Sequence, residues 1–86
     1  MEDKKFKGLQ DRLEKLSWPS IYMFKFIVPT EKEKELVDIF EGRITEKKYS
    51  QKGNYVSVTS TFAVESGDSV LHFYKEASKI EGVVAL

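Results

Sequence analysis

The 86-residue sequence has no cysteine, a single histidine and no excess of charge of either sign. Without cysteine there is no disulfide framework, no thiolate zinc site and no cysteine nucleophile, and one histidine excludes any site that needs two imidazoles. Because 14 Lys and Arg residues balance 14 Asp and Glu residues, the net charge does not indicate a polyanionic partner. We therefore expect neither an enzyme nor a cofactor.

Long hydrophobic runs are also missing. The longest stretch without a charged residue, residues 53–64, has twelve residues, whereas a transmembrane helix needs about 20. The first five residues, MEDKK, lack the apolar run of a signal peptide. We expect one small cytoplasmic domain with no membrane partner.

Three segments show the apolar periodicity of amphipathic helices. They are residues 4–16, residues 31–41 and a segment that begins after Ser66. Their expected buried stripes are Phe6, Leu9, Leu13 and Leu16 in the first helix, Leu36, Val37, Ile39 and Phe40 in the second, and Val70, Phe73, Tyr74, Ala77 and Ile80 in the third.

Capping residues define the predicted helix ends. Thr30 and Glu33 form a predicted capping box, in which each side chain caps a backbone N–H at the start of the second helix. Gly42 closes that helix, and Ser66 is the predicted N-cap of the third.

Four segments are typical of β-strands: residues 20–28, 43–50, 55–64 and 83–86. The first is apolar on both faces, which indicates a central strand covered on both sides. The second is highly charged, which suits a sheet edge. Residues 51–54, QKGN, separate the second strand from the third and predict a hairpin turn.

The elements therefore follow the order helix, then β-α-β-β-α-β. This order predicts an α+β fold, a ferredoxin-like βαββαβ sandwich with a four-stranded antiparallel sheet, two helices on one face and an additional N-terminal helix. Right-handed crossovers place the first and third strands in the centre of the sheet. We expect residues 1–17 to form the N-terminal amphipathic helix and residues 18–86 the ferredoxin-like domain.

Three motifs resemble those of the YbeD-like proteins, a family of small bacterial proteins of unknown function. They are residues 18–20, WPS, with residues 22–26, YMFKF; residues 50–58, SQKGNYVSV; and residues 74–83, YKEASKIEGV. The resemblance covers roughly residues 9–86 and implies a ferredoxin-like fold close to that of ACT domains, which bind amino acids and regulate metabolic enzymes. It implies no established activity.

The ACT-like resemblance implies an alternative function, that of a small-molecule sensor. Such a sensor would bind an amino acid as a homodimer, with the ligand held between the subunits. ACT domains usually place their ligand against a glycine-containing loop after the first strand, whereas that loop here is VPTE, residues 28–31.

The sheet face that carries no helices, the open face, is the most informative predicted surface. Alternation places Ile21 and Met23 of the first strand beside Tyr55 and Thr59 of the third. A bare apolar patch of this size is unusual on a monomer and indicates an interface. We expect the apolar stripe of the leading helix to cover this face, in the same chain or in a partner.

Charge is uneven along the chain although it sums to zero. Residues 30–42 contain five acidic and two basic residues, whereas residues 43–52 contain four basic residues and one acidic residue. The basic segment either protects a sheet edge or docks an acidic partner. We predict that an unidentified protein binds the hairpin at residues 47–55, the open face, or both. The candidate interaction residues are Lys48, Lys52, Asn54 and Tyr55 in the hairpin and Ile21, Met23 and Thr59 on the open face.

Two other functions are weaker alternatives. Residues 52–58, KGNYVSV, match part of an RNA-recognition pattern, but Tyr55 is the one aromatic residue expected on the open face. Asp68, His72 and Glu76 share a helix face at a spacing that could bind a metal or transfer protons. Because that face points to solvent, we expect neither a catalytic nor a metal site there. The sequence thus favours a small non-enzymatic regulatory or protein-interaction module.

Overall fold

A computed structural model of the chain describes residues 6–86. Within these residues, three α-helices and four β-strands follow one another in the predicted order. Their bounds are α1 Lys7–Leu13, β1 Ser20–Pro29, α2 Glu33–Ile39, β2 Glu46–Tyr49, β3 Tyr55–Val64, α3 Gly67–Ala77 and β4 Val84–Ala85, with a 3₁₀ turn at Thr30–Lys32 before α2. No helix in this part of the chain is long and apolar enough to cross a bilayer.

The four strands form one antiparallel sheet in the order β2-β3-β1-β4. β1 and β3 pair along ten residues, from Ser20 opposite Val64 to Pro29 opposite Tyr55. Both are runs of β-branched and aromatic residues in which Lys25 is the only charged residue, which explains their length. This strand order, with α2 and α3 packed on one face, confirms the predicted ferredoxin-like arrangement.

The hydrophobic core lies between the sheet and the helices. The buried core residues of the sheet and α2 are Phe24, Phe26, Val28, Val56, Val58, Val64, Leu36 and Phe40. The predicted stripe of the third helix, from Val70 to Ile80, is buried against them. Phe24 is at the centre, with its ring centroid 5.3 Å from that of Phe62 and 5.0 Å from that of Phe73. This aromatic cluster fixes the helices to one face of the sheet.

The position of α1 differs from the prediction. Leu13 is 3% exposed and packs near Trp18, Gly67 and Leu71, on the helix side of the sheet and beside α3. The prediction that the stripe of α1 covers the open face of its own chain is therefore wrong. The groove beside α3 is lined by core residues, whereas the open face mixes apolar residues with hydroxyl and charged ones. Packing in the groove therefore removes more of the apolar surface of the stripe from water.

Several element boundaries also differ from the prediction. α2, for example, spans Glu33–Ile39 rather than residues 31–41 and thus ends before Gly42. α1 ends at Leu13 rather than at residue 16, and residues 4 and 5 of the predicted helix lie outside the described residues. β2 begins at Glu46 rather than at residue 43. The guanidinium carbon of Arg43 lies 4.4 Å from the centroid of the Phe62 ring, and Arg43 Nη1 donates to the Phe40 carbonyl at 3.2 Å. Arg43 thus contacts the aromatic cluster instead of extending the edge strand.

Candidate docking surface

The open face is formed by the alternation of β1 and β3. Its side chains come from the odd-numbered residues of both strands, because the even-numbered residues point toward the helices. In the register of the sheet, Met23 lies opposite Thr61 and Lys25 lies opposite Thr59. β2 adds Glu46 beside Thr59. The open face is therefore a mixed surface, in which apolar residues alternate with hydroxyl and charged ones.

Large apolar side chains of the open face are exposed to solvent. They are Ile21, Met23, Tyr55, Val84 and Leu86, and each keeps at least half of its surface. Ile21 is 72% exposed and Met23 is 59% exposed. β1 is thus a central strand, as predicted, but the prediction that both of its faces are covered is wrong within residues 6–86. A patch of this kind is a candidate interface.

The hairpin between β2 and β3 joins the open face rather than forming a separate site. Lys48 of β2 lies opposite Ser57, which in turn lies opposite Ile27. A shallow depression of about 220 Å³ is lined by Ile27, Lys48, Tyr49, Ser50, Tyr55 and Ser57. The structure therefore brings Lys48 and Tyr55, predicted from the hairpin, next to apolar surface of β1.

The turn of the hairpin lies at one end of this surface. Lys52 and Asn54 are exposed there, beside the Pro29 end of β1. Ile21 is eight residues away from Pro29 along β1, about 26 Å at 3.3 Å per residue. The predicted residues thus form one elongated surface, with Thr59 between the two ends, and not a compact cluster.

Only part of the basic segment is available to a partner. Glu33 of α2 accepts hydrogen bonds from Lys47 Nζ at 2.8 Å and from the Tyr49 hydroxyl at 2.6 Å. These bonds, that from Lys47 above all, lower the pKa of the Glu33 carboxyl from its ordinary value. The same contacts raise the pKa values of Lys47 and Tyr49. Lys47 therefore belongs to a structural tie between the hairpin and α2.

The predicted capping box at Thr30 and Glu33 is wrong. The Thr30 hydroxyl donates to the Gly53 carbonyl at 2.6 Å, and the Thr30 N–H donates to the Asn54 carbonyl at 2.9 Å. The Glu33 carboxylate is engaged by the hairpin as described above. Both side chains of the predicted box thus bind the hairpin, Thr30 at its turn and Glu33 at β2, since the hairpin presents carbonyls, a hydroxyl and an ammonium group close to the start of α2.

The charges of the docking surface are mainly basic. Lys25 and Lys48 lie on the open face and Lys52 lies at its end, whereas Glu46 is the acidic residue of the same face. Among the residues that the structure describes, Lys48 and Lys52 have no ion-pair partner. The surface therefore carries more positive than negative charge although the chain as a whole is neutral.

Comparison with known proteins identifies a family over most of the chain. Residues 14–86 match the model of a family described as "Protein of unknown function (DUF493)". The chain belongs to the DUF493 family. The match begins directly after α1 and includes the whole sheet, α2 and α3. No curated protein and no solved structure matches the chain. Membership of an uncharacterised family is thus shown, and the finer resemblance to YbeD-like proteins stays a prediction.

The helix side of this DUF493 domain contains the single histidine. His72 is exposed on α3, and a groove of about 260 Å³ between α2 and α3 is lined by His72, Glu76 and residues of α2. Within residues 6–86, no group of three or more His, Cys, Asp or Glu side chains could hold a metal ion. The spacing of Asp68, His72 and Glu76 therefore does not produce a metal site in the described chain.

Sequence reasoning missed two features of this surface. Lys25 lies in the middle of the open face, between Thr59 and the β4 side, and was not among the predicted interaction residues. Val84 and Leu86 extend the apolar patch because β4 pairs with β1. Alternation in residues 83–86 could have predicted their side of the sheet, but their neighbours depend on the register of a two-residue strand.

Proposed function

We propose that this DUF493 domain is a protein-interaction module that docks an acidic, partly apolar segment of a partner protein on its open face. The observation that carries the proposal is the exposure of Ile21 and Met23 on a sheet face whose charges are mainly basic. Burial of one such isoleucine or methionine side chain contributes about 1.5–3 kcal/mol. Several such side chains on one face supply enough free energy for a specific complex.

The lysines supply selectivity for the partner. Lys25 lies within the apolar patch, and Lys48 lies in the depression beside Tyr55. A partner that places carboxylates against these ammonium groups is favoured, whereas a basic partner is repelled. In this proposal the protein acts as a regulatory module through the complex that it forms.

The amino-acid sensor receives less support from the geometry. Thr30 follows β1 at the position where the ACT-like resemblance implies a ligand, but its hydroxyl and its N–H both donate to the hairpin turn. A ligand at this loop would have to displace those two bonds. RNA binding is also less well supported, because Tyr55 is the one aromatic residue of the open face in the described chain.

The proposal is tested with two double variants that change charge equally. Lys48→Glu with Lys52→Glu alters the docking surface, and Lys34→Glu with Lys75→Glu alters exposed residues of α2 and α3 on the other side of the sheet. Proteins captured from a cell extract by the wild type should be lost with the first pair and retained with the second. Both variants should keep the wild-type melting temperature to within a few degrees, since exposed charges contribute about 0–1 kcal/mol.

A third variant separates the sheet face from the hairpin. Met23→Asp introduces a charge on the open face without changing the hairpin, and we expect it to abolish the same captured complexes. If the wild type captures no protein, or if the Lys48 and Lys52 variant captures the same proteins in equal amounts, the docking proposal is wrong.

A further inference from the structure

The two sides of β1 differ in how completely they are paired. β3 pairs with all ten residues of β1. On the other side, β4 pairs only with Phe26 and Ile27, and the Leu86 N–H donates to the Lys25 carbonyl at 2.9 Å. Within residues 6–86, no strand continues β4 along the first half of β1. A segment of sheet edge therefore begins where β4 ends.

The backbone groups of Ile21 and Met23 point toward this edge. In a strand, the N–H and C=O groups of alternate residues point to the same side. Because the Lys25 carbonyl faces β4, the N–H and C=O groups of Met23 and Ile21 face the same side. Two donors and two acceptors are thus aligned along an edge that no strand in the described part of the chain covers.

From Ile21 to Phe24, this edge lacks the features that usually prevent strand pairing, since it has no charged residue, no proline and no break in register. β2, at the opposite edge, carries Glu46, Lys47 and Lys48 in a strand of four residues. The β1 edge instead presents the exposed apolar side chains of Ile21 and Met23. Natural sheets block free edges with charges, prolines or bulges, and an unblocked apolar edge accepts an additional strand.

The helices on the other side of the sheet limit what can bind. Phe6, at the start of α1, lines one cavity with Phe26, Tyr74 and Ala85, so that α1 and α3 lie under the edge that β4 occupies. The hydroxyls of Tyr22 and Tyr74 are 3.4 Å apart, which places α3 under the first half of β1 as well. A second folded copy that paired through the same edge would have to place its own helix layer beside α1 and α3. A single extended segment carries no helix layer and fits.

The chemistry of that segment follows from its alternation. Residues that lie beside Ile21 and Met23 would share the open face and should be apolar. The intervening residues would point toward the helix side, where the last turn of α1 carries Arg12 and where the hydroxyls of Tyr22 and Tyr74 lie 3.4 Å apart. Arg12 is exposed and has no ion-pair partner in the described chain, so acidic side chains suit these positions.

We propose that the β1 edge at Ile21 and Met23 accepts, in line with β4, an extended partner segment in which acidic and apolar residues alternate. Strand addition provides affinity through backbone hydrogen bonds and specificity through alternate side chains. This inference rests on the proposed function, because the apolar residues of the segment would lie on the open face beside Ile21 and Met23. Its acidic residues would face Arg12 on the helix side rather than Lys25 and Lys48.

The direction of β4 allows a direct test without the natural partner. β4 runs antiparallel to β1, with Ala85 opposite Phe26 and the Leu86 N–H bonded to Lys25. Residues fused after Leu86 would therefore continue toward Met23 and Ile21. In this register, the second and fourth added residues lie opposite Met23 and Ile21. The probe is the full chain extended by Glu-Val-Glu-Val-Glu, which presents the segment at a high effective concentration.

We expect the extension to protect the edge amides. Hydrogen exchange of the Ile21 and Met23 amides, followed by NMR, should slow by about tenfold or more relative to the unextended chain. An extension of Glu-Pro-Glu-Pro-Glu lacks the two N–H donors and should give no protection. An extension of Lys-Val-Lys-Val-Lys should give less protection than the acidic one, because its cations approach Arg12.

The outcomes separate this inference from the proposed function. Strand addition would be overturned if the Ile21 and Met23 amides of the chain extended by Glu-Val-Glu-Val-Glu exchanged as fast as those of the unextended chain. Equal protection by the proline extension would overturn it as well. The charge-reversal experiment at Lys48 and Lys52 would be unaffected by that result, since it measures capture of a partner by the unextended chain. In a third outcome, the Lys48 and Lys52 variant captures the same proteins as the wild type, but the Glu-Val extension still protects the Ile21 and Met23 amides. The edge would then remain a strand acceptor, and the docking surface would be rejected.

Discussion

Gly82 is a residue at which the fold leaves no room for a side chain. A Cβ atom there would lie 2.9 Å from Cγ and 3.0 Å from Cδ of Pro29, and the residue has a φ of +83°. We expect Gly82→Ala to lower the free energy of unfolding by about 1–3 kcal/mol, measured by urea denaturation. Gly42→Ala is the matched control, because Gly42 has the same φ but nothing within 4 Å of a Cβ. Equal losses in the two variants would show that the contact with Pro29 has no effect on stability.

At the scale of single residues, the sequence predicted contacts only where the partner is near in the chain. Ser66 was predicted as an N-cap, and its Oγ accepts from the Ser69 N–H at 3.2 Å, three residues away. The capping box at Thr30 and Glu33 was predicted by the same local reasoning and is wrong. Their partners, Gly53 and Tyr49, are 23 and 16 residues away. Such contacts depend on the packing of α2 against the hairpin, which no local pattern reports.

At the scale of elements, the tie between α2 and the hairpin makes stability depend on pH. Glu33 has a lowered pKa because Lys47 and Tyr49 donate to its carboxylate. The stabilisation is therefore present above the ordinary pKa of a glutamate and is lost as the pH falls through the lowered pKa of the folded state. We expect Glu33→Gln to lower the melting temperature near neutral pH and to reduce its decrease on acidification. The measurement is the melting temperature as a function of pH.

Glu35→Gln is the control for this effect. Glu35 also lies in α2, but its ion pair is with Lys32, three residues away and outside the hairpin. In this variant, the melting temperature should decrease on acidification as it does in the wild type. If Glu33→Gln also keeps it, the tie between α2 and the hairpin does not contribute to the acid sensitivity of the fold.

The elements themselves were largely predictable, because the apolar residues of each element repeat in the sequence at the spacing of a strand or of a helix. β1 and β3 alternate over ten residues, and α3 repeats apolar residues along one face. The position of α1 was not predictable in the same way. Its stripe shows that one face of the helix is buried, but the stripe does not specify the surface that buries it. The sequence analysis placed the stripe on the open face, and only the assembled fold shows the groove beside α3.

At the scale of the whole molecule, the helices of the described chain leave one face of the sheet uncovered. Three helices pack on one face, whereas the described chain leaves Ile21 and Met23 of the other face exposed. Domains of this size bury only about 60% of the surface that the unfolded chain exposes. An uncovered sheet face is therefore compatible with a stable fold, and it remains accessible to a partner. The candidate site was therefore predictable as a surface, but its state, exposed rather than covered, depended on where α1 packs.

The packing of α1 gives the last prediction, since two leucines of one predicted stripe have opposite environments. Leu13 is 3% exposed against α3, whereas Leu16 is 45% exposed. We expect Leu13→Ala to cost about 2–5 kcal/mol through loss of buried contacts, and Leu16→Ala to change stability little. In a domain this small, each kcal/mol shifts the melting temperature by about 4–8 °C, so thermal unfolding separates the two variants. Because α1 does not contact the open face, neither variant should change the hydrogen exchange of Ile21 and Met23 under native conditions. Equal destabilisation by both variants, or faster exchange at these two residues with Leu16→Ala, would instead place the stripe across the open face.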